Sequence, residues 1–295
     1  MNASTLAILL ACNIVWALNV VVSKLAVDDF GVPPLFYTVL RSVLVVAVLF
    51  PLLRPLPAQL GRVLLIGFAI SGGSFALLFI GLQTASPSAA GIVNLSGAPL
   101  TVLFAILFLK EEVRWRRGIG MALTLGGVVM AIGSPAGSQS GIGLAFVFAS
   151  ALLGALGSVF VKRLEIGSAA LQAWAALISI AAILPMTLAF ESGQMAAVTA
   201  APWEVAGCVV FAGLIVSVGA HSAYFKLLKL HDANLIVPLT LLTPLLTIGF
   251  GAWLTGDPIG WRLLAGAGVA MSGVAIIVLR PSRKLFKPLL VRPRI

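Results

Sequence analysis

Two stretches of this chain, LSGAPLTVLFAILFLKEEVRWRRG from Leu95 and TLLTPLLTIGFGAWLTGDPIGWRLL from Thr240, lie over one another with Pro99 on Pro244 and Glu112 on Asp257. The chain therefore reads as a duplication. Each copy holds five long apolar runs. Because five is odd, a second copy threaded through a bilayer must enter from the side opposite to the first. Inverted repeats of this kind build secondary transporters, with the substrate site at the interface between the repeats.

Composition identifies the solvent as lipid. Charged residues make up 9% of the chain, against about 25% in soluble domains, and mean hydropathy is +1.13. At 295 residues there is room for about ten helices, each needing about 20 apolar residues to cross a ~30 Å core. The runs fall near 5–27, 34–53, 61–82, 88–109, 116–133, 141–161, 169–190, 205–227, 233–254 and 261–279, with boundaries good to a few residues. Gly, Pro, Ser and charge punctuate the joins, as at Pro33-Pro34, Ser86-Pro87 and Gly256-Asp257-Pro258. Barrel strands would alternate in polarity, and these runs do not. The expected fold is an all-α integral membrane protein of ten transmembrane helices in two inverted five-helix repeats, residues 1–134 and 140–280, followed by a basic tail over 281–295. The first run lacks a basic start and an A-x-A cleavage pattern, so it is expected to stay as the first span.

The net charge of +10 would fit a nucleic-acid partner if it were clustered, so its placement decides. With the N-terminus in the cytoplasm, the inner segments hold sixteen of the nineteen Lys and Arg residues, from Arg54 and Arg62 to the tail beyond Arg280. The outer side receives Asp28, Asp29, Glu191, Glu204 and Asp257. This is the positive-inside pattern. It puts both termini in the cytoplasm of a bacterial-type inner membrane, lays the tail on anionic headgroups and leaves no role for nucleic acid. Cys12 and Cys208 map to opposite leaflets, so neither a disulfide nor a metal site is expected. No HExxH, Walker or GxSxG motif occurs, and no cofactor is expected.

The PLxxL…LxEE and TPLLT…TGDP blocks, the run W-A-L-N-V-V-V-S-K from Trp16 to Lys24, and the arginine of TVLRS in span two together resemble the drug/metabolite transporter superfamily, EamA type. The resemblance covers nearly the whole chain. Within that superfamily the chain is similar to aromatic amino-acid exporters of the YddG type, which implies ten helices, short loops and export of Phe, Tyr, Trp and other neutral amino acids. It departs from strict symmetry where Gly256-Asp257 stands opposite Glu111-Glu112.

A zwitterion crossing lipid needs polar partners near the midplane, because an uncompensated charge there is costly. Counting ~1.5 Å per residue brings Trp16 and Asn19, Ser71 to Phe75, Pro99, Ser217, and Thr240 to Pro244 to the centre. Pro99 and Pro244 each remove a donor and free a carbonyl one turn back, near Leu95 and Thr240; they either line the path or only kink their helices. Trp16, Phe75, Phe79 and Trp174 either receive an aromatic side chain or pack. Asn94, Ser74, Ser217, Thr240 and Thr243 either bind substrate or bridge helices.

Arg41, about 11 Å inside span two with Tyr37 one turn outward, reads either as a carboxylate anchor or gate, or as a side chain that snorkels outward or pairs with Asp28 or Asp29. The second is the expectation. Lys24 and Lys162 read as interfacial snorkels. His221 is the one group within a span that titrates near neutral pH, and it either senses protons or bonds a neighbouring helix; His231 falls in a loop. No acid lies deep in a span, which favours gradient-driven export over a carboxylate proton relay. Glu112 and Asp257 read as caps for the helices that follow them. Gly118, Ala122 and Gly126 in span five, with Gly268 and Ser272 in span ten, form small-residue rows suited to scaffold or subunit contact.

The expected partners are small-molecule amino acids and membrane lipids, with oligomeric state left open and a monomer sufficient. Exchange of phosphorylated metabolites or nucleotide sugars is the competing reading, and it requires converging cations. An intramembrane enzyme is a third, hinted at only by Ser222 beside His221, with no acid at hand to complete a triad.

Overall fold

The computed structural model describes residues 3–110, 115–132, 141–161, 163–230, 239–240 and 242–278, and among them there is no strand. Seven helical segments are long and apolar enough to cross a membrane: α1 Ala3–Asp29, α2 Pro34–Leu53, α3 Leu60–Leu82, α4 Pro87–Leu109, α6 Gly141–Val161, α7 Ser168–Phe190 and α8 Pro202–Tyr224. Three shorter apolar helices accompany them, α5 Trp115–Ile132, α9 Leu242–Leu254 and α10 Trp261–Val278. The chain is a multi-pass membrane protein. Of the span expected over 233–254, residues 233–238 and 241 lie outside the described residues. So do Glu112, Lys162, His231 and the basic tail.

Local sequence explains the helix starts. Pro34, Pro87 and Pro202 each occupy a first helical position, where the missing N–H would have had no partner. Ser86 caps α4 by accepting from the Ala89 N–H at 3.3 Å. In the turns, Gly31 and Gly256 sit at φ +63° and +65°, which a side chain rarely tolerates.

The tightest seam joins α5 to α10. A methyl on Gly120 would sit 2.7 Å from the Gly273 carbonyl, and one on Gly127 would fall on the Ala270 backbone and the Gly266 carbonyl. Thr124 donates across the seam to the Ala270 carbonyl at 3.3 Å. The row read from sequence, Gly118 and Gly126 with Gly268, faces open space and takes no part in this seam. Span five carries small residues on several faces, so a four-residue spacing alone selects more than one row, and the row beginning at Gly120 is the one that docks. Elsewhere α2 lies along α7, α1 along α9, α4 along α6, and α3 sits between α6 and α7 while α8 packs on α1 and α2.

Three stretches widen to π-helix: Leu25–Asp29, Ala69–Gly73 and Phe211–Ala220. Such turns occur often at functional sites.

At the end of the bundle that carries Asp28, Glu191 and Asp257, two carboxylates cap helices far away in sequence. Glu191 accepts from the Leu35 and Phe36 N–H groups at 2.8 and 3.0 Å, and from the Thr187 hydroxyl at 2.7 Å. Asp257 accepts from the Ser88 N–H at 2.8 Å and the Thr255 hydroxyl at 2.7 Å. Asp257 is thus a cap, but of α4 and not of the helix that follows it. The exposed N–H groups of α4 lie within its reach, and the helix dipole there favours a negative charge.

Candidate functional site

A cavity of about 390 Å³ opens between α2, α3, α6, α7 and α8, a size within the ~300–1,000 Å³ range of small-molecule sites. Arg41, Ser42 and Val45 come from α2, Ile70, Ser71 and Phe75 from α3, Ser158 and Val161 from α6, Leu171, Gln172 and Ala175 from α7, and Ser217 and His221 from α8. It runs from Arg41 and Phe75 to Ile166 and Ser168, in the turn beside exposed Arg163. At the opposite, acidic end Tyr37, Phe79, Leu82 and Val32 have no exposed surface, and that end is closed. Ser71 and Ser217 both sit in π-helical turns.

Arg41 dominates the chemistry. It is only 5% exposed, so it does not snorkel, and Asp28 is instead paired with Lys24 at 2.7 Å. Nη2 donates to the Ser217 hydroxyl at 2.8 Å, and Nε donates to that hydroxyl at 3.1 Å and to the Ala212 carbonyl at 3.2 Å. Its Cζ lies 3.5 Å from the centroid of the Phe75 ring, a cation–π contact. Phe75 stacks in turn on Phe79 at 5.8 Å, and Phe79 meets Tyr37 at 4.8 Å. The width of the π-turn at Phe211–Ala220 lets Ser217 reach back five residues to the Ala212 carbonyl at 2.6 Å while its oxygen receives Arg41. Nη1 has no hydrogen bond to a described residue and is available to a ligand. No carboxylate lines the cavity among the described residues.

The remaining polar groups are mainly acceptors. Ser42 donates its proton to the Thr38 carbonyl and Ser158 to the Gly154 carbonyl, each at 2.7 Å, leaving their oxygens to accept. His221 Nδ1 lies 2.9 Å from the Val216 carbonyl and donates to it, so in a neutral ring Nε2 is an acceptor. The Gln172 side-chain oxygen is buried with no partner.

Of the residues singled out from sequence, Arg41, Ser71, Phe75, Ser217 and His221 line this cavity. Tyr37 and Phe79 lie behind it, fully buried, with the Tyr37 hydroxyl donating to the Cys208 carbonyl at 3.2 Å. Trp16 backs the site, 5.5 Å from His221 and 5.1 Å from Tyr224 between ring centroids; Asn19 is buried outside the lining.

Several candidates bridge or pack instead. Ser74 exchanges hydrogen bonds with Ser150 of α6, and Thr243 donates to Asn13 Oδ1 at 2.6 Å. Thr240 lies in a short turn before α9 and is already engaged. Pro99 and Pro244 are buried near the starts of helical segments and are not in the cavity lining; the Leu95 carbonyl accepts from the Ala98 N–H at 3.2 Å. Asn94 is exposed and outside the cavity lining, at the end of the first part of α4 where the helix breaks at Leu95-Ser96. Trp174 packs with Val63 and Leu171 outside the cavity. Ser42, Ser158, Ser168 and Gln172 had not been singled out. Gln172 carried a readable signal, as a lone amide in an apolar run.

The sequence model of the EamA-like transporter family matches residues 3–133 and 141–279. A probable amino-acid metabolite efflux pump of Salmonella typhimurium is 27% identical over 276 residues, 90% of this chain and 91% of that protein. An S-adenosylmethionine/S-adenosylhomocysteine transporter of Chlamydia trachomatis is 27% identical over 294 residues, 89% of this chain and 85% of that protein. A solved crystal structure superposes with TM-score 0.57 at 20% identity over 94% of this chain and 96% of that one, and has the same fold.

Proposed function

Because the chain belongs to the EamA-like transporter family and is a small-molecule transporter, we propose that it exports neutral and aromatic amino acids, or metabolites built on them, through the Arg41–Phe75 cavity. The carrying observation is the buried guanidinium with open donors set against an aromatic ring. A carboxylate docks on Arg41 by charge-assisted hydrogen bonds, and an apolar side chain lies against Phe75, Val45, Ile70 and Leu171. The name of the Salmonella relative supports this substrate class.

In this reading residues 1–134 and 140–280 are two inverted five-helix repeats that rock about the cavity. The exchange of partners supports it: α1 lies on α8 and α9 as α6 lies on α3 and α4, while α2–α7 and α5–α10 pair with each other. The loop charges support cytoplasmic termini, so the cavity mouth beside Arg163 faces the cytoplasm, the loading side for an exporter. Tyr37 and Phe79 form the closed outer gate, with Arg41 at its base.

A phosphorylated sugar would need several converging cations, and the described residues of the lining offer one. The test is release of labelled phenylalanine from proteoliposomes, compared with leucine, lysine and glucose-6-phosphate, with and without a pH gradient. Fast, gradient-indifferent release of phenylalanine is expected. Movement of the sugar phosphate alone overturns the reading.

A further inference from the structure

Resting on that reading, we infer that the cavity selects apolar monocarboxylates whose nitrogen carries no charge, such as N-acylated amino acids, over the free zwitterions. The charge balance carries the argument. Among the described residues, Arg41 is the one charged side chain in the lining, and no acid faces it. The described acids are engaged or exposed elsewhere. Asp28 is paired with Lys24, Glu191 and Asp257 cap α2 and α4, and Asp29, Glu165 and Glu204 are exposed.

A monoanion on Arg41 makes the occupied site neutral. A zwitterion leaves it with one net positive charge and places an ammonium among neutral oxygens, in surroundings where an unpaired charge is expensive. The acceptors that remain suit a neutral N–H. The Gln172 oxygen is buried and unpartnered, and the Ser42 and Ser158 oxygens have already directed their protons to backbone carbonyls. An amide N–H satisfies one such acceptor without bringing charge, and the cavity has room for a small acyl group beyond the side chain. A carboxylate opposite the guanidinium would pair the ammonium of a free zwitterion, and there is none among the described residues of this lining.

The consequence for transport is that each turnover moves one negative charge. In proteoliposomes holding labelled N-acetylphenylalanine, a tenfold potassium gradient clamped by a potassium ionophore should drive the anion to roughly a tenfold ratio across the membrane, while phenylalanine flux ignores the potential. In competition, N-acetylphenylalanine should inhibit at concentrations about tenfold or more below those of phenylalanine, with phenylalaninamide weakest of the three, since an uncompensated charge costs at least ~1.4 kcal/mol, which is a factor of ten in affinity.

Arg41→Lys should keep the order at lower affinity, and Arg41→Gln should erase it. If Arg41→Gln fails to fold, the competition order measured on the unmodified protein still decides. Phenylalanine flux without N-acetylphenylalanine flux, or equal competition by the two, overturns the inference and leaves amino-acid export standing. Flux of glucose-6-phosphate with neither of them removes both.

Discussion

Replacing a carboxylate by its amide should do very different damage at the two crossed caps. Glu191 spends both oxygens on backbone donors, the Leu35 and Phe36 N–H groups. In Glu191→Gln one of those positions becomes an NH₂ facing an N–H, so a donor is orphaned, at about 1–3 kcal/mol, and the charge at the helix start is lost, at about 0.3–1 kcal/mol. The expected total is about 2–3 kcal/mol. Asp257 offers only one oxygen to a backbone donor, Ser88, and the other to the Thr255 hydroxyl, which also lies 2.7 Å from the Gly251 carbonyl. An asparagine there keeps its oxygen on Ser88 and donates its NH₂ to Thr255, whose proton moves to Gly251. Only the charge is lost, so Asp257→Asn should cost about 1 kcal/mol. Asp257→Ala orphans the Ser88 N–H and should cost about as much as Glu191→Gln. At about 2 °C per kcal/mol for a chain of this length, melting of the purified protein in detergent should fall by about 4–6 °C for Glu191→Gln and by about 2 °C for Asp257→Asn. Equal shifts, or a larger one at Asp257, would refute the idea that the number of backbone donors served sets the cost.

Three further outcomes are expected. Gly127→Val should sharply reduce folded yield, because the added methyls meet the Ala270 and Gly266 backbone and overpacking costs at least ~1–3 kcal/mol, whereas Gly126→Val should be tolerated; size-exclusion profiles compare them. Phe75→Leu should raise the half-saturation concentration for phenylalanine about 3- to 10-fold, given ~0.5–1.5 kcal/mol for an aromatic pair, and change that for leucine less, as read by initial flux rates. His221→Gln should leave flux as indifferent to a pH gradient as in the unmodified protein, since His221 is held by Val216 and faces no acid; a pH response that the substitution abolishes would show that export is proton-coupled.

The helices were legible because apolar length and Gly/Pro punctuation act locally. Counting depth from the span ends also put Phe75 and Ser217 at the cavity. It missed Ser158, Ser168 and Gln172 because midplane depth is a criterion for an occluded site, while this cavity runs on to one end of the bundle. Helix facing was also not legible. The Gly118 row was read from its spacing, while the Gly120 row forms the α5–α10 seam, since periodicity gives spacing but not the face a neighbour will occupy. Arg41 misled for an energetic reason. Snorkelling is the inexpensive arrangement for a lone arginine, and what holds it inside is a serine on α8, 176 residues away in sequence, together with Phe75.

The crossed caps also impose a timetable on synthesis. Leu35 lies 156 residues ahead of Glu191, and Ser88 lies 169 ahead of Asp257. At about 5–20 residues per second, the amide ends of α2 and α4 stand at the membrane surface for roughly 8–35 seconds before the carboxylates that complete them have been translated. The first half of the chain is thus inserted long before it is finished.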